Sequence, residues 1–245
     1  MSGKVIAIWG NNGSGKTTFA VNLACALANR SCLVGLISSN LVYGDLQIFF
    51  GQSVPAEKGL FHGLNDDNPN IGEKFSEVEE SKNLFFLSVP NHYTGLLCDG
   101  ISLQGVERMI SAASLVFDVL VVDGSGDVNN PVSSTGLWLA ERIYTLHKPS
   151  IAAQMWHIGM GDFVKELHIA GKQVHLLGES NGEFDGKAFK GLMELSFSYN
   201  LPFVKRAGEL ENAGTPICFF RDRACRQYSK VLERIAGEIC GGEKK

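Results

Sequence analysis

The chain has no long apolar run. Although 44% of its 245 residues are hydrophobic, no stretch approaches the about 20 apolar residues that a membrane-spanning helix needs, so none is expected. An excess of one charge is also missing. The 22 Lys and Arg against 26 Asp and Glu leave a net charge of −4, which argues against a dedicated nucleic-acid coat protein. Cysteine pairs are absent. The six cysteines, at 25, 32, 98, 218, 225 and 240, form no C-x-x-C motif, and no histidine stands at zinc-ligand spacing; they read as small buried apolar side chains in a reducing compartment. There is no internal repeat and no low-complexity run beyond the tail Gly241–Lys245, read as flexible. The opening MSGKVIAIWG enters a strand-like segment without the three regions of a signal peptide, so a cytoplasmic location is expected.

What is present is a globular composition with regular alternation. Val5–Trp9, Cys32–Ile37, Leu84–Val89, Val119–Val122, Arg142–Leu146, Val174–Leu177 and Phe197–Leu201 are short apolar runs of strand length. Between them, Thr17–Asn29 sets Phe19, Leu23 and Leu27 on one helical face. Ser102–Val116 and Gly186–Leu195 also read as helices, and Gln227–Ile239 aligns Val231, Leu232, Ile235 and Ile239. Apolar strands alternating with helices predict a single-domain α/β fold, a mostly parallel central sheet with helices on both faces. No linker interrupts residues 1–240, so one nucleotide-binding domain is expected there.

The segment Gly10-Asn11-Asn12-Gly13-Ser14-Gly15-Lys16-Thr17 fits G-x-x-x-x-G-K-[ST], and it joins an apolar strand to a helix as that motif requires. The glycines permit torsions and close approach that a Cβ would block, so successive N–H groups can face phosphate oxygens. The following helix start, with Thr18, adds unpaired N–H groups and a positive dipole end. Lys16 is expected at the β- and γ-phosphates, with a catalytic role, and the Thr17 hydroxyl at Mg²⁺. A second signal is Phe117–Gly126, where an apolar strand ends in Asp123. That carboxylate suits the water shell of Mg²⁺, and Gly126 can offer its N–H to a γ-phosphate. The cofactors read here are ATP or ADP with Mg²⁺.

With these residues the chain resembles the ParA/MinD-type P-loop ATPases, most nearly the CpaE/TadZ-like branch associated with pilus assembly and polar positioning. The resemblance extends through Leu41-Val42-Tyr43-Gly44-Asp45-Leu46, the Leu84–Pro90 strand and the Asp118/Asp123 strand. It ends in Leu201-Pro202-Phe203 and Ala213-Gly214-Thr215-Pro216, similar to the family segment that lies by the adenine. It implies a P-loop fold, ATP binding with Pro202 and Phe203 at the base, and action through a protein partner.

Three segments depart from the family pattern. Asn11 stands where the signature lysine reaches across a nucleotide-sandwich dimer, and a short neutral side chain supplies no charge in trans. Ser38 and Asn40 stand where an Asp-x-Asp pair positions the attacking water, leaving Asp45 as the nearest carboxylate for catalysis or for capping a turn or helix. Gly178-Glu179, with Asn181 slightly beyond, stand where an asparagine reads adenine. Nucleotide binding with slow hydrolysis and a weakened homodimer is therefore expected. The alternatives are a non-hydrolysing nucleotide-bound scaffold and a P-loop kinase or ligase acting on a small molecule; an ABC-transporter subunit fails for want of a Leu-Ser-Gly-Gly segment.

Weaker features read as structure. The C-terminal helix mixes Glu233 and Glu238 with Lys230 and Arg234, which suits core packing rather than an anionic membrane. Arg221, Arg223 and Arg226 are interrupted by Asp222, so DNA contact is not favoured. Trp9 is expected under the phosphate loop, Trp138 and Trp156 in helix packing, histidines 62, 92, 147, 157, 168 and 175 in turns or on surfaces, and Asn65–Asn70 in a mobile loop.

Overall fold

The computed structural model describes residues 2–55, 57–65, 70–91, 100–179 and 184–241. Expectations for His92, Cys98, Asn181, most of the 65–70 stretch and the tail beyond 241 lie outside the described residues.

Among the described residues the chain runs β1 (Lys4–Gly10), α1 (Lys16–Ala28), β2 (Val34–Ser38), α2 (Asp45–Phe50), α3 (Leu60–Asn65), β3 (Ser76–Val78) and β4 (Ser81–Leu87). It continues α4 (Leu103–Val116), β5 (Val119–Asp123), α5 (Pro131–Leu139), β6 (Arg142–His147), α6 (Ile151–Gly159), α7 (Gly161–Glu166) and β7 (Gln173–Gly178). Last come α8 (Gly186–Met193), β8 (Phe197–Leu201), α9 (Ala207–Asn212) and α10 (Arg223–Ile239). The strands form one sheet in the order β3-β4-β2-β5-β1-β6-β7-β8. Only β3 pairs antiparallel among the described residues.

All seven apolar runs are strands; the central ones carry little polar alternation because the parallel sheet is covered on both faces, whereas the edge strand β8 alternates, burying Tyr199 and Leu201 and exposing Ser198 and Asn200. On one face α1, α2, α9 and α10 bury Phe19, Leu23, Leu46, Phe50, Leu210, Leu232 and Ile235. On the other, α3 to α7 bury Leu60, Val106, Ile110, Val132, Leu137 and their neighbours.

Helix α1 is less amphipathic than its Phe19/Leu23/Leu27 face suggests: every residue from Phe19 to Ala28 is buried. The reason is α10, which lies along its outer side and contributes Tyr228, Leu232, Ile235 and Ile239. The one polar residue inside, Asn22, is satisfied twice, donating to the Thr18 carbonyl at 2.8 Å and accepting from the Cys218 amide at 2.9 Å. The C-terminal helix is thus a core element, as its mixed charge implies.

The histidines depart from expectation. His147 on β6 is fully buried, and with His175 on β7 and His157 on α6 it forms a ring cluster; among the described residues only His168 sits in an exposed turn. His147 is in phase with Ile143 and Thr145, so it shares their inward face beneath α6. Trp138 departs too: it is exposed on the outer side of α5, whereas Trp9 packs edge-on against Trp156 at 4.7 Å.

Burial, with His175 and His157 adding to it, pushes His147 down from 6.5 to about 3. The unfolded chain therefore takes up a proton as pH falls through 6.5 while the folded chain does not, and stability falls with pH below that point. For this one group the loss between pH 7 and pH 5 is about 2 kcal/mol, or about 4–8 °C in Tm. Melts at both pH values should show the wild-type Tm dropping further than that of His147→Gln, whose neutral side chain does not titrate. Equal drops would refute this account.

Candidate functional site

The parallel register decides where the chemistry gathers. Asp123 at the end of β5 lies opposite Ile8 of β1 on one side and Ser38 of β2 on the other. The loop after β1, the turn after β2 and the last residue of β5 therefore meet at the carboxyl edge of the sheet, where open α/β sheets bind ligands.

The phosphate loop leaves β1 at Gly10, with φ +145°; an added Cβ would lie 2.4 Å from the Leu146 carbonyl oxygen, so no other residue fits. Gly13 and Gly15 also hold positive φ, 76° and 87°. Helix α1 starts after Gly15 with no side-chain cap, as do the six-residue α2, α7 and α9, whereas the longer α4, α5, α6, α8 and α10 are capped by Ser102, Asn130, Ser150, Asp185 and Asp222. The first amides of α1 are thus left for a ligand, and an anion is what they suit.

Lys16 donates to the Asn11 carbonyl at 2.9 Å. Burial lowers its pKa and the Asp123 charge opposes that shift. Thr17 hydrogen-bonds Asp123, yet Asp123 Oδ1 is buried without a partner. Burial first, then the Asp45 charge, pushes the Asp123 carboxyl up to about 7 against the Thr17 hydrogen bond and Lys16. A buried carboxylate with an orphaned oxygen beside a threonine hydroxyl and a phosphate cradle fits Mg²⁺, which takes one or two carboxylates plus phosphate and water. Ser14 Oγ and Asn11 Oδ1 are likewise orphaned within the loop.

Asn11 is turned inward, 9% exposed, with its amide donating to the Asn12 carbonyl at 3.0 Å. Gly126 is packed against the same loop, where a Cβ would lie 2.8 Å from the Gly10 carbonyl oxygen and 3.2 Å from Asn12 Oδ1. Its own carbonyl accepts from Trp156 Nε1 at 3.1 Å, which ties the loop after β5 to α6.

Asp45 opens α2 and is held from several sides. Its Oδ1 accepts from Ser38 Oγ at 2.7 Å and from the Leu46 amide at 2.9 Å, and Asn40 adds a side-chain hydrogen bond. Burial raises its pKa, and these bonds oppose the shift. Asp45 and Asp123 line one cavity of ≈ 530 Å³ together with Lys16, Thr17, Asn40 and Asp127. Pro202 and Phe203 line a second cleft, ≈ 260 Å³, with Thr18, Lys148, Glu179, Glu211 and Tyr228. Thr18 donates its hydroxyl to Glu211 there. Sequence reasoning missed Glu211 and Tyr228, which come from α9 and α10 and carry no local motif.

The fold has known counterparts. The septum site-determining protein MinD of Pyrococcus horikoshii, complexed with Mg-ADP, superposes with TM-score 0.80 at 17% identity, covering 97% of each chain. A ParA family ATPase of Chlorobium tepidum does so with TM-score 0.78 at 17% identity, covering 96% of this chain and 98% of that one. The chain has the MinD/ParA P-loop fold. Among curated sequences, the iron-sulfur cluster carrier protein of Pyrococcus abyssi is 22% identical over 272 residues, spanning 99% of this chain and 89% of that protein. No protein-family model matches.

Proposed function

We propose that the chain is an ATP- and Mg²⁺-binding switch of the MinD/ParA kind, acting in positioning, partitioning or pilus assembly through a protein partner. The observation that carries this reading is the convergence of Lys16, Thr17 and the orphaned oxygen of Asp123 beneath a phosphate loop whose helix has no side-chain cap. Residues 10–18 and Gly126 bind the phosphates, Thr17 and Asp123 hold Mg²⁺, and Pro202 and Phe203 flank the base. The resemblance carried jointly by the phosphate loop, Leu41–Leu46, Leu84–Pro90, the Asp118/Asp123 strand and Leu201–Pro216 supports the CpaE/TadZ-like branch within the group.

Hydrolysis is slow in this reading, because neutral Ser38 and Asn40 stand where a pair of aspartates would position the attacking water. Ser38 and Asn40 carry no charge of their own; instead they hydrogen-bond Asp45, so a carboxylate from α2 stands in for an acid on β2. A small-molecule kinase or ligase is less well supported: Lys16 is the one cation among the described residues lining the ≈ 530 Å³ cavity, so an anionic acceptor would lack a partner. Calorimetric titration with ATP and Mg²⁺, run beside phosphate release, tests the proposal. Binding with slow release supports it, binding without release favours the scaffold, and no binding overturns both.

Dimerisation is weakened because Asn11 folds back into its own loop. Asn11→Lys should therefore gain ATP-dependent dimerisation, seen as faster sedimentation with ATP than without. Identical profiles in both conditions would sink this explanation.

A further inference from the structure

We propose that Cys32 and Cys240 form a reversible disulfide site that fastens the C-terminal helix to the corner between α1 and β2. The two sulfurs lie 2.7 Å apart although 208 residues separate them in sequence. That spacing lies between the ~2.05 Å of a bonded pair and an ordinary non-bonded contact of two sulfurs.

Both residues are held by their surroundings. Cys240 caps α10 with its amide on the Ala236 carbonyl, and the preceding Ile239 carbonyl accepts from the Lys4 ammonium. Beside Cys32, the Leu33 amide donates to Asp118 Oδ2 at 2.8 Å and the Leu33 carbonyl accepts from the Asp118 amide at 2.9 Å. Bond formation therefore requires a side-chain adjustment and no movement of the elements.

Both thiols are half-buried and in reach of a small oxidant. The other pair in contact, Cys25 and Cys218, includes a Cys25 that is 1% exposed. Cys225 has Asp222, not a thiol, as its partner at 3.1 Å. Among the described cysteines, the site thus singles out one pair that is both in contact and open.

The oxidant is a low-molecular-weight disulfide. The Cys240 thiolate attacks one of its sulfurs and expels a thiolate. Once Cys240 Sγ is held in the mixed disulfide, the Cys32 thiol loses its hydrogen-bonded contact with Cys240, which was part of what raised its pKa, and gives its proton to water at the half-exposed site. Its sulfur then attacks Cys240 Sγ and expels the second thiolate. Two chain thiols are oxidised and one external disulfide is reduced to two thiols.

The bond would close nearly the whole chain and lock α10 along α1, where Tyr228 walls the cleft beside Phe203. The test uses the full chain, incubated with oxidised glutathione, alkylated, and mapped by mass spectrometry without reduction. The expected result is a linked pair of peptides containing Cys32 and Cys240, undone by dithiothreitol. Tm should rise on the order of 5–15 °C on oxidation. Cys32→Ser and Cys240→Ser should each melt near the reduced wild type and lose that rise. Glutathione retained on Cys240 without the link, or chain-to-chain disulfides in its place, would overturn the proposal.

Discussion

Lys16→Ala is expected to reduce ATP affinity by at least about 100-fold. The ammonium is poised within the loop, held by the Asn11 carbonyl and facing Asp123, so it has to move little to meet the β- and γ-phosphates. Burial already lowers its pKa, which means the site carries part of the cost of desolvating this charge before the nucleotide arrives. Each charge-assisted hydrogen bond lost is worth about 1.5–3 kcal/mol, and two such bonds give about 100-fold or more. The fold should survive, because removing a desolvated ammonium offsets the loss of its attraction to Asp123. Calorimetry with Mg²⁺ and ATP checks the affinity and a melt checks the fold. A folded Lys16→Ala binding within threefold of wild type would remove the loop from the phosphate site.

Much of this site is legible in the chain because its parts are contiguous. Residues 10–18 are one contiguous segment from the end of β1 to the first turn of α1, and the Asp123 carboxylate ends an apolar strand whose burial fixes its register. The central strands are legible because strands buried on both faces must be apolar throughout, and the edge strand β8 because its Phe197, Tyr199 and Leu201 alternate with exposed Ser198 and Asn200. Strand β3 is not: Ser76-Glu77-Val78 is three residues long, exposes Glu77 and exists only by pairing with β4. Helix α5, Pro131–Leu139, hides behind Ser133, Ser134 and Gly136; its start is set by Asn130, whose side chain accepts from the Val132 and Ser133 amides. His147 misleads because a histidine reads as polar, while its phase in Arg142–His147 puts it under α6. Glu211 lies 193 residues from the Thr18 hydroxyl that it accepts from, and Tyr228 lies farther still along the chain; only the folded sheet brings them to the cleft beside the loop.

Asp45→Asn is expected to lower single-turnover ATP hydrolysis by about 10²–10³ while leaving nucleotide affinity within a few-fold. A positioned carboxylate that orients water or accepts its proton contributes on this scale, and the amide keeps the shape while losing the charge. The neighbours decide whether Asp45 is such a group or only the first residue of a helix. A residue that merely opens α2 needs one bond to a helix amide, and the Leu46 amide at 2.9 Å supplies it. Asp45 has more. Ser38 Oγ reaches it from the end of β2 at 2.7 Å, Asn40 from the following turn, and Ser88 Oγ stands at 3.5 Å. Its charge acts on Asp123 strongly enough to raise that carboxyl. These contacts fix the carboxylate over the cavity that Lys16 and Thr17 also line. In the variant, the new amide would point a donor at the Asn40 donor, which costs about 1 kcal/mol of stability. That is too little to unfold the chain, so a fall in turnover reads chemistry. Unchanged turnover with intact binding would reduce Asp45 to the helix start that its sequence position alone suggests.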